Sequence, residues 1–140
     1  PTCCEQNIGY WNIEGLTSKC YFNDFKKYIF SFDIFARAET WEETTKIARR
    51  GRAMGGMSVY IRKTIMQYIE HINFDFKIGI ILKINRRFMN IENDTLLLFV
   101  YLPANESPFY NNIPVKGIHF LEDKLDTLAT ENPNNEMILI

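Results

Sequence analysis

The residues through which this chain could handle a charged oxygen ligand are few: one glutamate, one asparagine, one tyrosine and a cluster of arginines. Glu39 ends the short apolar run Asp33-Ile34-Phe35-Ala36-Arg37-Ala38, and Thr40-Trp41 follows. A core behind such a run fixes the carboxylate at a strand end, where α/β proteins usually place their chemistry. A lone carboxylate with water suits a hard cation such as Mg2+ (or Mn2+), which keeps several waters and borrows phosphate oxygens. The plain alternative is a solvated strand-end glutamate, which pattern alone favours.

Asn12 follows Trp11 at the end of another aromatic run, and its amide could orient a metal-bound water or a phosphate oxygen. Beside Gly15 it also reads as a turn asparagine. Tyr101 ends the most apolar stretch and precedes Leu102-Pro103-Ala104-Asn105. Its phenol could donate to a phosphate, or sit at the rim of the core. Arg49, Arg50 and Arg52 flank Gly51 close to Glu39, as cations that could meet a nucleic-acid backbone or simply line a solvated turn. His71 and His119 have no metal-spaced partner and read as packing or surface residues.

The elements that must position these residues alternate. Ile8 to Ile13 is a strand. Thr17 or Ser18 can cap a helix running to about Phe30, with Tyr21, Phe25 and Tyr28 at helical spacing. Phe32 to Ala38 is a second strand, and Thr40 to Arg49 is loop or one helical turn. Gly55-Gly56 opens a third strand, Met57 to Ile61. Tyr68 to Phe74 and Ile78 to Ile84 are strands four and five, around a turn at Asp75-Phe76-Lys77. Asn90 to Asp94 is another turn. Leu96 to Leu102 has the continuous apolar pattern of a strand covered on both faces, broken by Pro103. After a Pro- and Asn-rich loop from Ser107 to Pro114, Gly117 to Ala129 is amphipathic, with Ile118, Leu121, Leu125 and Leu128 on one stripe. Asn132-Pro133-Asn134-Asn135 ends it, and Met137 to Ile140 begins another buried strand. This order predicts an α/β layered fold, sheet covered by helices.

The 140 residues fit one domain or most of one, and at 46% hydrophobic and 14% aromatic they can bury a real core. The formal net charge is -1, so nucleic-acid binding would have to rest on a local patch. No apolar run approaches the roughly 18 residues of a membrane span, and the N-terminus has no signal-peptide pattern. Cys3, Cys4 and Cys20 form neither a metal-ligand spacing nor an even disulfide framework, which points to reduced thiols and an intracellular setting. A start at Pro1 and a stop inside the apolar run Met137-Ile138-Leu139-Ile140 are expected of a fragment cut at or near its C-terminal end.

Four segments in order carry a resemblance: Trp11-Asn12-Ile13-Glu14-Gly15-Leu16; Glu39-Thr40-Trp41; Gly51-Arg52-Ala53-Met54-Gly55-Gly56 with Val59-Tyr60-Ile61; and Phe99-Val100-Tyr101-Leu102-Pro103-Ala104-Asn105. Together they resemble the endonuclease/exonuclease/phosphatase superfamily, most closely the endonuclease domain of non-LTR (LINE-type) retrotransposons and host proteins that look derived from them. The match spans nearly the whole chain.

The resemblance implies that residues 1–140 are the N-terminal part of one domain, a four-layer α/β sandwich of two packed mixed sheets flanked by helices, C-terminally truncated. It implies magnesium-dependent phosphodiester hydrolysis. Glu39 matches the metal-ligand glutamate, Asn12 the asparagine that helps organise the metal and phosphate site, and Tyr101 the tyrosine that contacts phosphate. Arg49, Arg50, Arg52 and Asn105 are then the candidate nucleic-acid contacts. The implied partner is DNA, reached in the nucleus, with a covalently linked downstream reverse transcriptase in the parent protein and no membrane. Two departures stand out. Neither the Gly-Asp-Phe-Asn segment nor the Ser-Asp-His-type motif occurs, so the aspartate that positions the nucleophile and the general-base histidine have no counterpart and the chain is expected to be inactive. Arg37 replaces a small or apolar strand residue. The alternatives are a phosphoinositide-type phosphatase of the same superfamily and a non-catalytic, domesticated or decayed remnant.

Overall fold

The computed structural model describes residues 5–12, 22–38 and 56–140. The chain divides into two compact units, Pro1–Gln67 and Tyr68–Ile140. Among the described residues each holds one mixed sheet, of three and four strands, with helices in the connections, so the fold is α/β.

In the first unit, β1 (Ile8–Asn12) and β2 (Ile34–Ala38) are parallel, and β3 (Met57–Ile61) pairs antiparallel with β2. Parallel neighbours need a crossover, and helix α1 (Asn23–Phe30) lies in it. The helix sets Tyr28 against Phe32 and Phe35, at centroid separations of 5.2 and 6.0 Å. Gly9 lets this happen, because a Cβ there would stand 2.7 Å from both the Phe32 and Phe35 rings. All five residues of β2 are buried, as expected of a central strand. That includes Arg37, only 2% exposed. Its guanidinium donates to Ser58 Oγ at 3.1 Å and lies 4.3 Å from the centre of the Tyr60 ring, on the neighbouring strand. These contacts are what make a cation tolerable where the pattern calls for a small or apolar residue.

The second unit has strand order β4 (Ile69–His71), β5 (Gly79–Ile84), β6 (Thr95–Val100), β7 (Glu136–Leu139). The first three are antiparallel and β7 is parallel to β6. The long helix α3 (Gly117–Glu131) supplies the crossover, and a short helix α2 (Arg86–Met89) links β5 to β6. Thr95 to Phe99 are at most 1% exposed, which bears out a strand covered on both faces. The core joins Leu96 and Leu98 to Ile81, Phe76, Tyr110, Phe120, Leu121 and Leu128.

Four expectations are corrected. Strand four is shorter than Tyr68 to Phe74, because a 3-10 turn over Lys63–Tyr68 precedes it and the last bond to β5 is that of Ile72 N–H to Ile81 O. Beyond Ile72 the N–H groups of Phe74, Phe76 and Ile78 each donate to the carbonyl two residues back, a tight local path that replaces pairing. The Asn90–Asp94 turn follows a helix that was not foreseen: Asn85 Oδ1 accepts from Arg87 N–H at its start, and Asn90 ends it at φ 52°. On α3, Leu121, Leu125 and Leu128 face the core as expected, but Phe120 joins them in place of Ile118, which is 55% exposed. Phe120 wins that place through edge-on contacts with Phe109 and Tyr110 at 5.6 and 6.1 Å. Lastly, β7 is a strand but not a buried one. Its four residues are exposed at the end of the sheet.

Candidate functional site

In the first unit, Asn12 is the last residue of β1 and is exposed. Its position is set from the opposite end of the sheet. Asp33, just before β2, accepts from Asn7 N–H through Oδ2 at 3.0 Å, and its own N–H donates to Asn7 O at 2.8 Å. Arg62, just past β3, pairs with Asp33 Oδ1 at 3.3 Å and donates its N–H to Asp33 O at 2.8 Å. This clamp locks the register along the strands, and the outcome is that Asn12 stands opposite Ala38. The residue after Ala38 is Glu39, which lies outside the described residues, as do Arg49, Arg50 and Arg52. Beside Asn12, Tyr10, Trp11, Phe25 and Tyr28 line an open concavity of about 440 Å³.

In the second unit, Tyr101 follows β6 and is half-buried. Its N–H donates to Ile78 O at 2.8 Å, one step beyond the last β5–β6 pair. The chain then turns at Pro103, and Ser107 N–H donates to Ala104 O at 2.8 Å. Asn105 is exposed within that turn. Tyr110, 2% exposed, donates its hydroxyl to Pro103 O at 3.1 Å. The Asn105 Oδ1 lies against Gly117, the first residue of α3, in the space a Cβ would take. Tyr101 and Asn105 are therefore carried by one short segment braced from the core. Asn12 belongs to the first unit and these two to the second.

His71 is exposed on β4, and His119 Nδ1 lies 3.0 Å from Glu122 Oε2 on the outer surface of α3, so both are surface residues. Among the described residues no cluster of three or more His, Cys, Asp or Glu could hold a metal ion, and no helix is long and apolar enough to cross a membrane. Sequence pattern places Tyr110 in a loop and Gly117 at a helix start without showing what either contacts. Their signals were a Ser-Pro start to a 3-10 turn at Ser107-Pro108 and a glycine opening an amphipathic helix. Asp94, read only as the end of a turn, has its carboxyl held below the ordinary aspartate value chiefly by the Arg86 backbone N–H at 2.8 Å, with burial opposing and Lys83 at 3.4 Å adding to the lowering. No protein-family model matches the chain, and no curated protein is significantly similar to it.

Proposed function

We propose that this chain carries the metal- and phosphate-binding part of a DNA endonuclease of the endonuclease/exonuclease/phosphatase type, derived from a retrotransposon-encoded endonuclease–reverse transcriptase. The observation that supports this reading most is the β1–β2 register. It sets Asn12 beside Ala38, the residue that precedes Glu39 in sequence. In this reading Glu39 holds Mg2+ and Asn12 orients a phosphate oxygen or a bound water. Tyr101 and Asn105 donate hydrogen bonds to phosphate, and Arg49, Arg50 and Arg52 meet the DNA backbone. The ion supplies charge neutralisation at the phosphoryl oxygens.

The test is a titration of the purified chain with Mn2+, followed by electron paramagnetic resonance, with and without a thymidine dinucleotide. Dinucleotide binding should depend on the metal. Glu39→Ala should abolish metal binding, and Asn12→Ala should weaken the dinucleotide. Metal binding unaffected by Glu39→Ala would overturn the proposal. Tight binding of inositol trisphosphate with none of the dinucleotide would favour the phosphatase alternative. With no aspartate–histidine pair to activate water, the chain should not nick plasmid DNA in Mg2+. Nicking that disappears in Glu39→Ala would contradict that expectation.

A further inference from the structure

We infer that Gly117 and Tyr110 are positioning residues that hold the Asn105 side chain in place for a phosphodiester ligand. The inference rests on the functional reading above and names the part of the molecule that would make the Tyr101–Asn105 segment rigid enough to recognise one.

The segment has little regular structure of its own. Beyond β6 it is tied down by Tyr101 N–H to Ile78 O, Tyr110 hydroxyl to Pro103 O, and Ser107 N–H to Ala104 O. None of these fixes the Asn105 side chain. What confines it is the start of α3. Gly117 has φ +57°, a left-handed backbone that side-chain-bearing residues adopt only at a cost. The missing Cβ leaves the space that Asn105 Oδ1 occupies. The glycine is itself buried, at the root of a helix anchored in the core by Phe120, Leu121 and Leu128. Tyr110 belongs to that same core and contacts Phe120. The exposed amide of Asn105 is thus backed by the buried core of the second unit, through two residues that would not touch a ligand. A side chain on a bare loop would lose rotamer entropy on binding, and one held this way loses less.

A double-mutant cycle tests the inference, read by affinity for a thymidine dinucleotide in Mg2+ and by the Asn105 side-chain NH2 resonances. Gly117→Ala should shift those resonances and weaken the dinucleotide by roughly tenfold, the scale of a small misplacement of a contact group. Asn105→Ala should weaken it similarly, and adding Gly117→Ala to Asn105→Ala should cost no further affinity, because the two act through one contact. A general loss of structure would make the double variant worse than either single one, and would overturn the inference. Tyr110→Phe, which removes only the bond to Pro103, covers the case in which Gly117→Ala does not fold. It should weaken the dinucleotide and shift the Ala104 and Asn105 backbone resonances, and unchanged resonances would count against positioning. If the wild-type chain binds no dinucleotide, the functional reading fails by itself. Positioning then stands or falls on whether the Asn105 resonances move in Gly117→Ala.

Discussion

Single side chains in this molecule do their work mainly by closing off backbone ends. Asp94 is the clearest case. Its carboxylate accepts the Arg86 N–H at the start of α2 and pairs with Lys83, while its carbonyl receives the Glu136 N–H that begins β7. Because the folded-state pKa lies below the ordinary 3.8, the stabilisation is fully present above that value and is lost as pH falls through the lower folded one. Asp94→Asn should therefore flatten the acid limb of the stability curve. The wild-type chain should lose its advantage over the variant below pH 3.8, as measured by urea denaturation at a series of pH values. At neutral pH Asp94→Ala should cost about 1 kcal/mol, the usual scale for a lost cap. Gly79 makes a different point. It sits on β5 opposite Val100, where a Cβ would collide with Phe99 O and stand 2.7 Å from the Phe76 ring. Both neighbours are fully buried and have nowhere to go, so Gly79→Ala should destabilise the second unit by roughly 2–3 kcal/mol. Intact stability in that variant would mean the Phe76 ring swings away freely.

At the level of elements, what could be read in advance was whatever depends on neighbours in sequence. Met57–Ile61 came out with the boundaries that its glycine pair and apolar run imply, and β1 begins at Ile8 as its pattern implies. The helix beginning at Gly117 was legible from its periodicity. Most of its inward stripe was legible too, since Leu121, Leu125 and Leu128 face the core, but the exchange of Phe120 for Ile118 was not, because Phe109 and Tyr110 decide that place and periodicity is silent on them. The short helix at Arg86–Met89 was hidden because its two ends, Asn85 and Asn90, are also ordinary turn residues. An apolar run such as Met137 to Ile140 announces a strand but says nothing about what covers it. Here it leaves Met137, Ile138 and Leu139 each more than two-fifths exposed at the end of a sheet. Such a strand invites intermolecular pairing. Ile138→Lys should suppress concentration-dependent light scattering while changing the unfolding midpoint little, and equal scattering in variant and wild type would place the sticky surface elsewhere. Of the candidate site, Asn12, Tyr101 and Asn105 could be placed at element ends from sequence. The bracing of Asn105 could not, since it depends on a left-handed glycine well removed in sequence.

For the whole molecule, charge sets the terms of any encounter with nucleic acid. With a formal net charge of -1 there is no broad attraction, and binding must come from a few cations. The functional reading places them at Arg49, Arg50 and Arg52. The logarithm of the DNA-binding constant should then fall only shallowly with the logarithm of salt concentration, with a slope of about -3. Replacing all three arginines by alanine should bring the slope close to zero. A steep slope that survives the triple replacement would locate the phosphate contacts elsewhere.

The mixed polarity of the four-stranded sheet also implies a chronology. β4, β5 and β6 follow one another through short antiparallel connections, whereas β7 reaches β6 only after the chain has traversed α3. Closing the longer excursion carries the larger entropic toll and yields only an exposed strand, so β7 should arrive last and depart first. Two adjacent amides keep time. Tyr101 N–H is bonded to Ile78 O on the β5 side, and Val100 N–H to Ile140 O on the β7 side. In a refolding experiment with pulsed deuterium labelling, the first should become shielded before the second.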